Sequence, residues 1–350
     1  MKLMKLEELK GDEILARSIM TEDYKELLSE GIKIKKEYIP KLKAIGIREI
    51  YVKDKIANLE TLAILREDVN ENCKMKVQDI ISRHTYQGND EMMEIGKTAK
   101  NIITTILEDD NVVEQIYDIK ERSADLYEHC ISMCTIATLI ALKMDISREK
   151  VYEISVGCLL HELGLRYIVL DIDNIDLNDF SNQDLAEFKK HPLYGYEAVK
   201  NADWMSKTSK EILLCHHEFL NGEGYPLHTS ELSMPIKIAS VCDYFDEHIC
   251  GIACKRMKVH EVIEFIKNER GILFDENVVD TLINFIAAYP TGSEVITNEK
   301  EKAVVIRQNK GFPERPVLQI IEDKEGKPVK NVVIKNMLEY NYLFIDEVLN

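Results

Sequence analysis

The chain has 350 residues, enough for two or three units, with 45% hydrophobic and 31% charged residues and a formal net charge of -17. So acidic a chain repels nucleic-acid backbones and anionic membrane surfaces, and no basic run offsets it, which argues against both as partners. An anionic small substrate stays open wherever bound cations invert the charge locally.

The start, MKLMKLEELKGDE, turns charged before an apolar segment can form, so it is not read as a signal peptide. No apolar run reaches bilayer-spanning length. The 8 cysteines include no CxxC pair, so neither a zinc ribbon nor a thioredoxin motif is expected, and a reducing cytoplasm is the expected compartment. Residues 1–58 read as a small N-terminal α+β accessory unit. There EILARSIMTEDYKELLSEG predicts a hairpin, and KEYIPKLKAIGIREIYV predicts a helix, a glycine stop and a strand ending at Val52. Residues 59–119 predict a helical linker and the start of a bundle, and 120–290 its main body. GKTAKNIITTILED, CISMCTIATLIALKM, VYEISVGCLLHEL, FKKHPLYGYEAVKN and HEVIEFIKNE all carry apolar residues at helical spacing. After Pro290 the texture changes. In 291–350, KAVVIRQN, PVLQIIED and VKNVVIKN predict strands separated by turns. The expected fold is therefore mainly α, a helical bundle between a small α+β unit and a small β-rich extension.

The histidines of the helical region carry the chemical signal. His129 lies in LYEHCISMCTIA, His161 in GCLLHELGL, His191 in KKHPLYGYEA, and His216 and His217 side by side in LLCHHEFLNGEGYP. Asp243 follows in IKIASVCDYFDEH. Each sits on or beside an amphipathic helix with neighbours apolar enough to bury it. Burying such groups unpartnered costs about 1–3 kcal/mol each. Shared ligation of a metal removes that penalty from all of them, and imidazole with carboxylate suits iron, manganese or zinc. HELGL is not a zincin motif, because the position of the second histidine is Leu165.

The order H, H-D/E-x-G, H-P-x-x-G, H-H-E-x-x-D/N-G-x-G-Y-P and V-x-D-x-F-D, over roughly residues 120–290, resembles the HD-GYP branch of the HD-domain phosphohydrolases. That resemblance implies an HD-type helical bundle holding two divalent metal ions, sometimes three, iron or manganese with zinc as the alternative. It implies hydrolysis of cyclic di-GMP, or a related cyclic dinucleotide, through a metal-bridging hydroxide. Carried over by position, the metal ligands are His129, His161, Glu162, His191, His216, His217 and Asp243, and Glu162 stands where the family has its bridging aspartate. Glu162 and Asp243 become the catalytic carboxylates, and Tyr225 and Lys255 the substrate contacts. The two adjacent histidines would serve neighbouring metals, since successive helical side chains diverge by roughly 100°. Family analogy adds a signalling partner protein and a homodimer through the long helices.

Several positions depart from the pattern. Glu162 replaces aspartate, Leu165 stands where a lysine is usual, Asn221 replaces the aspartate ahead of the glycines, and Ile252 takes an arginine position while Lys255 keeps the lysine. Arg166 and Arg256 lie beside the vacated basic positions, with Arg166 expected to point elsewhere. Asp125, one helical turn before His129, falls where three-metal members carry glutamate and reads as a solvated helix residue. These departures support an alternative, a degenerate relative acting as a nucleotide or metal sensor or a protein-interaction module. Trp204 reads as a core anchor or cleft lid. His84, His228, His248 and His260 read as surface or turn residues, and the acidic run at 107–114 as a helix end and loop.

Overall fold

The predicted N-terminal hairpin and helix form around a small apolar core. In the computed structural model, which describes residues 2–20, 26–53, 67–83, 89–108, 117–120, 122, 124–168 and 176–349, β1 (Lys2–Lys5), β2 (Ile19–Met20) and β3 (Glu26–Leu28) lead to α1 (Ile39–Ala44) and β4 (Glu49–Val52). β1 pairs antiparallel with β4, and β2 with β3. Leu6, Leu15, Ile34, Leu42, Ile50 and Val52 fill the space between them.

Next come α2 (Glu67–Arg83), α3 (Asn89–Glu108) and α4 (Leu126–Lys143). Every residue of α4 from His129 to Ala141 is buried, which makes it the axis of the bundle. Its start is fixed by Asp125, whose carboxylate accepts from the backbone N–H groups of Tyr127 and Glu128 and pairs with Lys74. Asp125 is thus a helix cap and not a free, solvated side chain. α5 (Arg148–Leu159) packs along α4 and then tightens into a 3-10 run, His161–Tyr167. The tightening lets Gly164 meet α7: a Cβ there would lie 1.9 Å from the His191 carbonyl oxygen.

The helix predicted through FKKHPLYGYEAVKN divides into α6 (Asn182–Phe188) and α7 (His191–Val199), with Pro192 opening α7, a position that needs no amide proton. α8 (Lys207–Cys215), α9 (Met234–Cys250), α10 (Val259–Asn268) and α11 (Glu276–Ile283) complete the bundle. All eight cysteines are free thiols, and apart from half-buried Cys254 they are buried. Among the described residues no helix is long and apolar enough to cross a membrane.

The C-terminal strands β5 (Glu294–Thr297), β6 (Lys302–Arg307), β7 (Val317–Glu322), β8 (Pro328–Asn336) and β9 (Ile345–Val348) form one antiparallel sheet, ordered β8-β7-β6-β5-β9. β5 and β9, each four residues, escaped the sequence reading, because such short segments become strands only through pairings such as Val295 with Val348. By contact the chain divides into residues 1–61 with 291–308 and 315–350, and residues 62–290 with 309–314.

Trp204 is an anchor, packed on the bundle core, where a Cβ on Gly96 would come within 2.6 Å of its ring. His228 does lie in a turn, at φ 56°. His248 and His260, expected at the surface or in turns, are helical. His248 stacks on Tyr244 at 3.9 Å, and His260 faces Tyr289. His84 and most of the acidic run at 107–114 lie outside the described residues.

Candidate metal centre

Three histidines follow or start next to helix ends, and each uses Nδ1 in the same way. His161 Nδ1–H donates to the Cys158 carbonyl at 2.6 Å, His191 to that of Phe188 at 2.9 Å, and His216 to those of Ile212 and Leu213 at 3.2 and 3.1 Å. These carbonyls belong to the last turns of α5, α6 and α8, where backbone donors grow scarce, although Ile212 also accepts from the His216 N–H. A carbonyl only accepts, so Nδ1 carries the proton and Nε2 presents a lone pair. The three helix C-termini also bring partial negative charge to one place, which favours a cation there.

His129 reaches the same point from α4 by another route. Its Nδ1–H donates to Asp246 Oδ2 at 2.8 Å, and Asp246 also accepts from Arg122 Nη2 at 2.6 and 2.5 Å and from the Ser132 hydroxyl. Burial would raise the Asp246 carboxyl, but Arg122 and His129 outweigh it and hold it at about 2. Asp246 is thus an ionised, buried acceptor that sets the His129 ring. Neither Asp246 nor Arg122 was singled out from sequence. Asp246 is the last letter of the V-x-D-x-F-D motif, three positions from Asp243, and that spacing was the available signal.

The Nε2 atoms converge. His129 and His161 Nε2 are 3.0 Å apart, each 3.3 Å from Asp243 Oδ1, and His191 and His216 Nε2 are 3.2 Å apart. His217 stacks near His216, with ring centres 4.2 Å apart, and its Nδ1 lies 3.0 Å from Asp243 Oδ2. Glu162 Oε2 lies 3.2 Å from His191 Nε2. Two trios result, His129–His161–Asp243 and His191–His216–His217, each with its ligand atoms within 4.8 Å of one another. The adjacent pair does not sit inside a helix, as its predicted splay assumed. α8 ends at Cys215, His216 caps it, and the chain then turns.

Burial and the crowd of neighbouring imidazoles keep His216 neutral, and burial pulls His191 down to about 4. Burial opposes charge on His129 and His217 too, but Asp243 and, for His129, Asp246 prevail, holding His129 well above its usual value and His217 at about 9. Asp243 stays ionised against burial, through the His217 charge and the three histidine contacts.

The donors fit divalent cations on a specific observation. His191 and His216 point neutral lone pairs at each other with no proton between them, while the buried atoms Glu162 Oε2, His217 Nε2 and Asp243 Oδ1 have no hydrogen-bond partner. Ligand atoms about 3 Å apart form the edges of shells whose bonds are roughly 2.0–2.2 Å. Imidazole and carboxylate donors suit iron, manganese or zinc.

The wall of the site is a turn nailed down by Glu218. This buried carboxylate accepts from the backbone N–H groups of Leu227, His228 and Thr229 at 2.6, 3.1 and 3.1 Å. Gly224 permits the turn, since a Cβ there would lie 2.4 Å from Glu218 Cα and from the His217 carbonyl oxygen. Tyr225 consequently stacks on His217 at 4.5 Å, and Lys189 Nζ lies over the Tyr225 ring, 5.2 Å from its centre.

The positions where the family pattern is basic divide between apolar packing and the surface. Leu165 is buried with Ile168 and Phe188 in an apolar cluster. Ile252 packs against the bundle core, and Lys255 is exposed after α9. Arg166 does point elsewhere, donating to the Ile81 carbonyl at 2.8 Å, and Arg256 donates to that of Arg122 at 3.4 Å.

Residues 90–278 match a family described as HD domain, and residues 295–350 match one described as a KOW domain associated with HD domain. A cyclic di-GMP phosphodiesterase of Pseudomonas aeruginosa is 23% identical over 211 residues, 59% of this chain and 50% of that protein. A cyclic di-GMP phosphodiesterase of Borreliella burgdorferi is 25% identical over 205 residues, 57% of this chain and 53% of that protein. The chain therefore spans about half the length of the curated relatives it matches. An HDGYP protein from Bdellovibrio bacteriovorus shares the fold, with a TM-score of 0.54 at 18% identity over 80% of this chain and 97% of that one.

Proposed function

The chain belongs to the HD-domain family, and on that premise we propose that residues 120–290 form a metal-dependent phosphodiesterase acting on cyclic di-GMP or a related cyclic dinucleotide. The observation that carries the proposal is the convergence of buried donors, in which the neutral Nε2 atoms of His191 and His216 face each other and Glu162 Oε2, His217 Nε2 and Asp243 Oδ1 have no hydrogen-bond partner. His129, His161 and Asp243 would hold one cation, and His191, His216 and His217 a second, with Glu162 and Asp243 as the carboxylates of the reacting centre. Divalent cations so held activate water and neutralise charge on the phosphoryl oxygens.

The chain's own groups supply the rest. The backbone carbonyls hold the Nδ1 protons of His161, His191 and His216, and Asp246 that of His129, so these four rings aim Nε2 at the centre. Tyr225 covers His217 and narrows the mouth. Lys189, rather than the lysine position at Leu165, places a cation where a substrate phosphate would arrive. In a chain of charge -17, such a local positive centre is what an anionic dinucleotide requires.

The test is to load the chain with Mn2+ or Fe2+ and follow cyclic di-GMP by chromatography, with His191→Ala as control. Linear dinucleotide or GMP from the loaded chain alone supports hydrolysis. Intact substrate over a loaded protein sinks it. That outcome would leave a second reading, a metal- or nucleotide-dependent sensor, which the apolar surroundings of Leu165 and Ile252 favour.

A further inference from the structure

Four of the five imidazoles keep a proton on Nδ1 against an acceptor that belongs to neither trio, a helix-end carbonyl or Asp246. His217 is different. Its Nδ1 lies 3.0 Å from Oδ2 of Asp243, and Asp243 is itself a member of the other trio.

Which nitrogen of His217 faces the second cation follows from its surroundings. A neutral imidazole has one lone pair to give. Nε2 is the nitrogen that is buried without a hydrogen-bond partner, on a ring packed 4.2 Å from that of His216 and 5.1 Å from that of His191. The Nδ1 side is anionic. Glu247, one helical turn after Asp243 on α9, brings a second carboxylate to within 4.8 Å of the same atoms. A lone pair on Nδ1 would be repelled by these oxygens, whereas an N–H is attracted. The two oxygens of Asp243 are also engaged differently. Oδ1 lies 3.3 Å from Nε2 of both His129 and His161 and has no hydrogen-bond partner, while Oδ2 meets His217.

We propose that Asp243 serves both trios. Through Oδ1 it binds the first cation, and through Oδ2 it accepts the Nδ1 proton of His217 and so aims the Nε2 that binds the second. This rests on the reading that the two trios bind metal. Asp243 is thereby a ligand of one ion and a positioning residue for the other. A carboxylate behind an imidazole fixes its tautomer and raises its basicity. Asp246 does this for His129 within one trio, and Asp243 does it across the two. When the second cation enters, Nε2 gives up any proton it holds to solvent and Nδ1 keeps its own.

The first experiment loads the full chain, labelled with 15N-histidine, with diamagnetic Zn2+ and reads the ring nitrogens by NMR, His217→Gln identifying the His217 signals. A protonated Nδ1 and a metal-bound Nε2 are expected at His217. Binding through Nδ1, with the proton on Nε2, overturns the proposal. The second titrates chelator-stripped chain with Mn2+ by calorimetry, with bound metal counted by mass spectrometry. His161→Ala should lose the first cation and leave the affinity for the second unchanged. Asp243→Asn should lose the first and also weaken the second by about 10–100-fold. An unchanged second affinity in Asp243→Asn overturns the proposal while leaving the two-trio reading intact. If metal-free Asp243→Asn melts below wild type, the wild-type NMR spectrum alone decides. A wild type that binds neither Zn2+ nor Mn2+ overturns both. A loaded chain that leaves cyclic di-GMP intact counts against the proposed activity and leaves the role of Asp243 standing.

Discussion

At the scale of single residues, the buried charges around His129 are the most sensitive part of the molecule. Asp246 orients the ring and is itself held by Arg122. Replacing a group that orients a ligand typically weakens metal affinity by about 10–100-fold. Asp246→Asn should therefore lower Mn2+ affinity by that order in calorimetry. It should also destabilise the fold by about 3–5 kcal/mol, because Arg122 is left charged and buried. Unchanged Mn2+ affinity would mean that Asp246 supports the fold and not the metal ligand. Leu165 bears on the alternative reading. Installing the family lysine there places an ammonium in a cluster of Leu126, Phe180, Phe188 and Tyr194. Leu165→Lys is expected to cost at least about 2 kcal/mol in urea unfolding and to gain no activity. A stable, more active variant would show that the lysine reaches out of the cluster to substrate.

At the scale of elements, the turn after His217 decides the shape of the mouth. Glu218 joins three backbone amides, and Gly224 lets two strands of the turn touch. Glu218→Gln keeps the size but loses one acceptor oxygen, an expected loss of about 1–3 kcal/mol. Gly224→Ala should be worse, because its methyl group meets backbone that cannot rotate aside. Both are checked by thermal melting together with metal content. A Gly224→Ala protein with full metal content and unchanged melting would refute the close approach as a requirement. The helix ends are the other organising feature. Histidine just beyond the Leu160 cap of α5, at the cap of α8, and at the first position of α7 after α6, donates to the preceding helix-end carbonyl and aims Nε2 inward. One local arrangement thus builds most of the centre. The order of the histidine motifs was legible in the sequence. The helix breaks at Leu159, Lys189 and Cys215 were not, since continuous apolar spacing runs through all three. Close packing of the 3-10 run on α7, Pro192 and the Glu218-anchored turn impose those breaks.

At the scale of the molecule, the centre ties stability to pH and to metal. His191 is neutral in the folded chain, with its pKa pulled to about 4 by burial, whereas unfolded it titrates near its ordinary value of ~6.5. Its folded value lies below its unfolded one, so the associated stability is fully present above ~6.5 and is lost as pH falls towards about 4. The metal-free chain should lose on the order of 3 kcal/mol across that window, read from denaturant midpoints at each pH. His191→Gln should flatten the profile; an unchanged slope would assign it to other groups. Chelation should lower the melting temperature of loaded protein at pH 7, because binding stabilises the folded state alone.

The sequence by itself determined the mainly helical class with its small flanking units, and the six imidazole and carboxylate positions that meet. Helical periodicity and short motifs are local properties, written residue by residue. Only the tertiary structure decided that Asp125 caps a helix, that Leu165 and Ile252 lie in apolar packing, and that Asp246, Glu218 and Glu247 surround the centre. Those roles depend on which side chains from distant segments share a buried space. Periodicity within one segment carries no record of its neighbours in the fold.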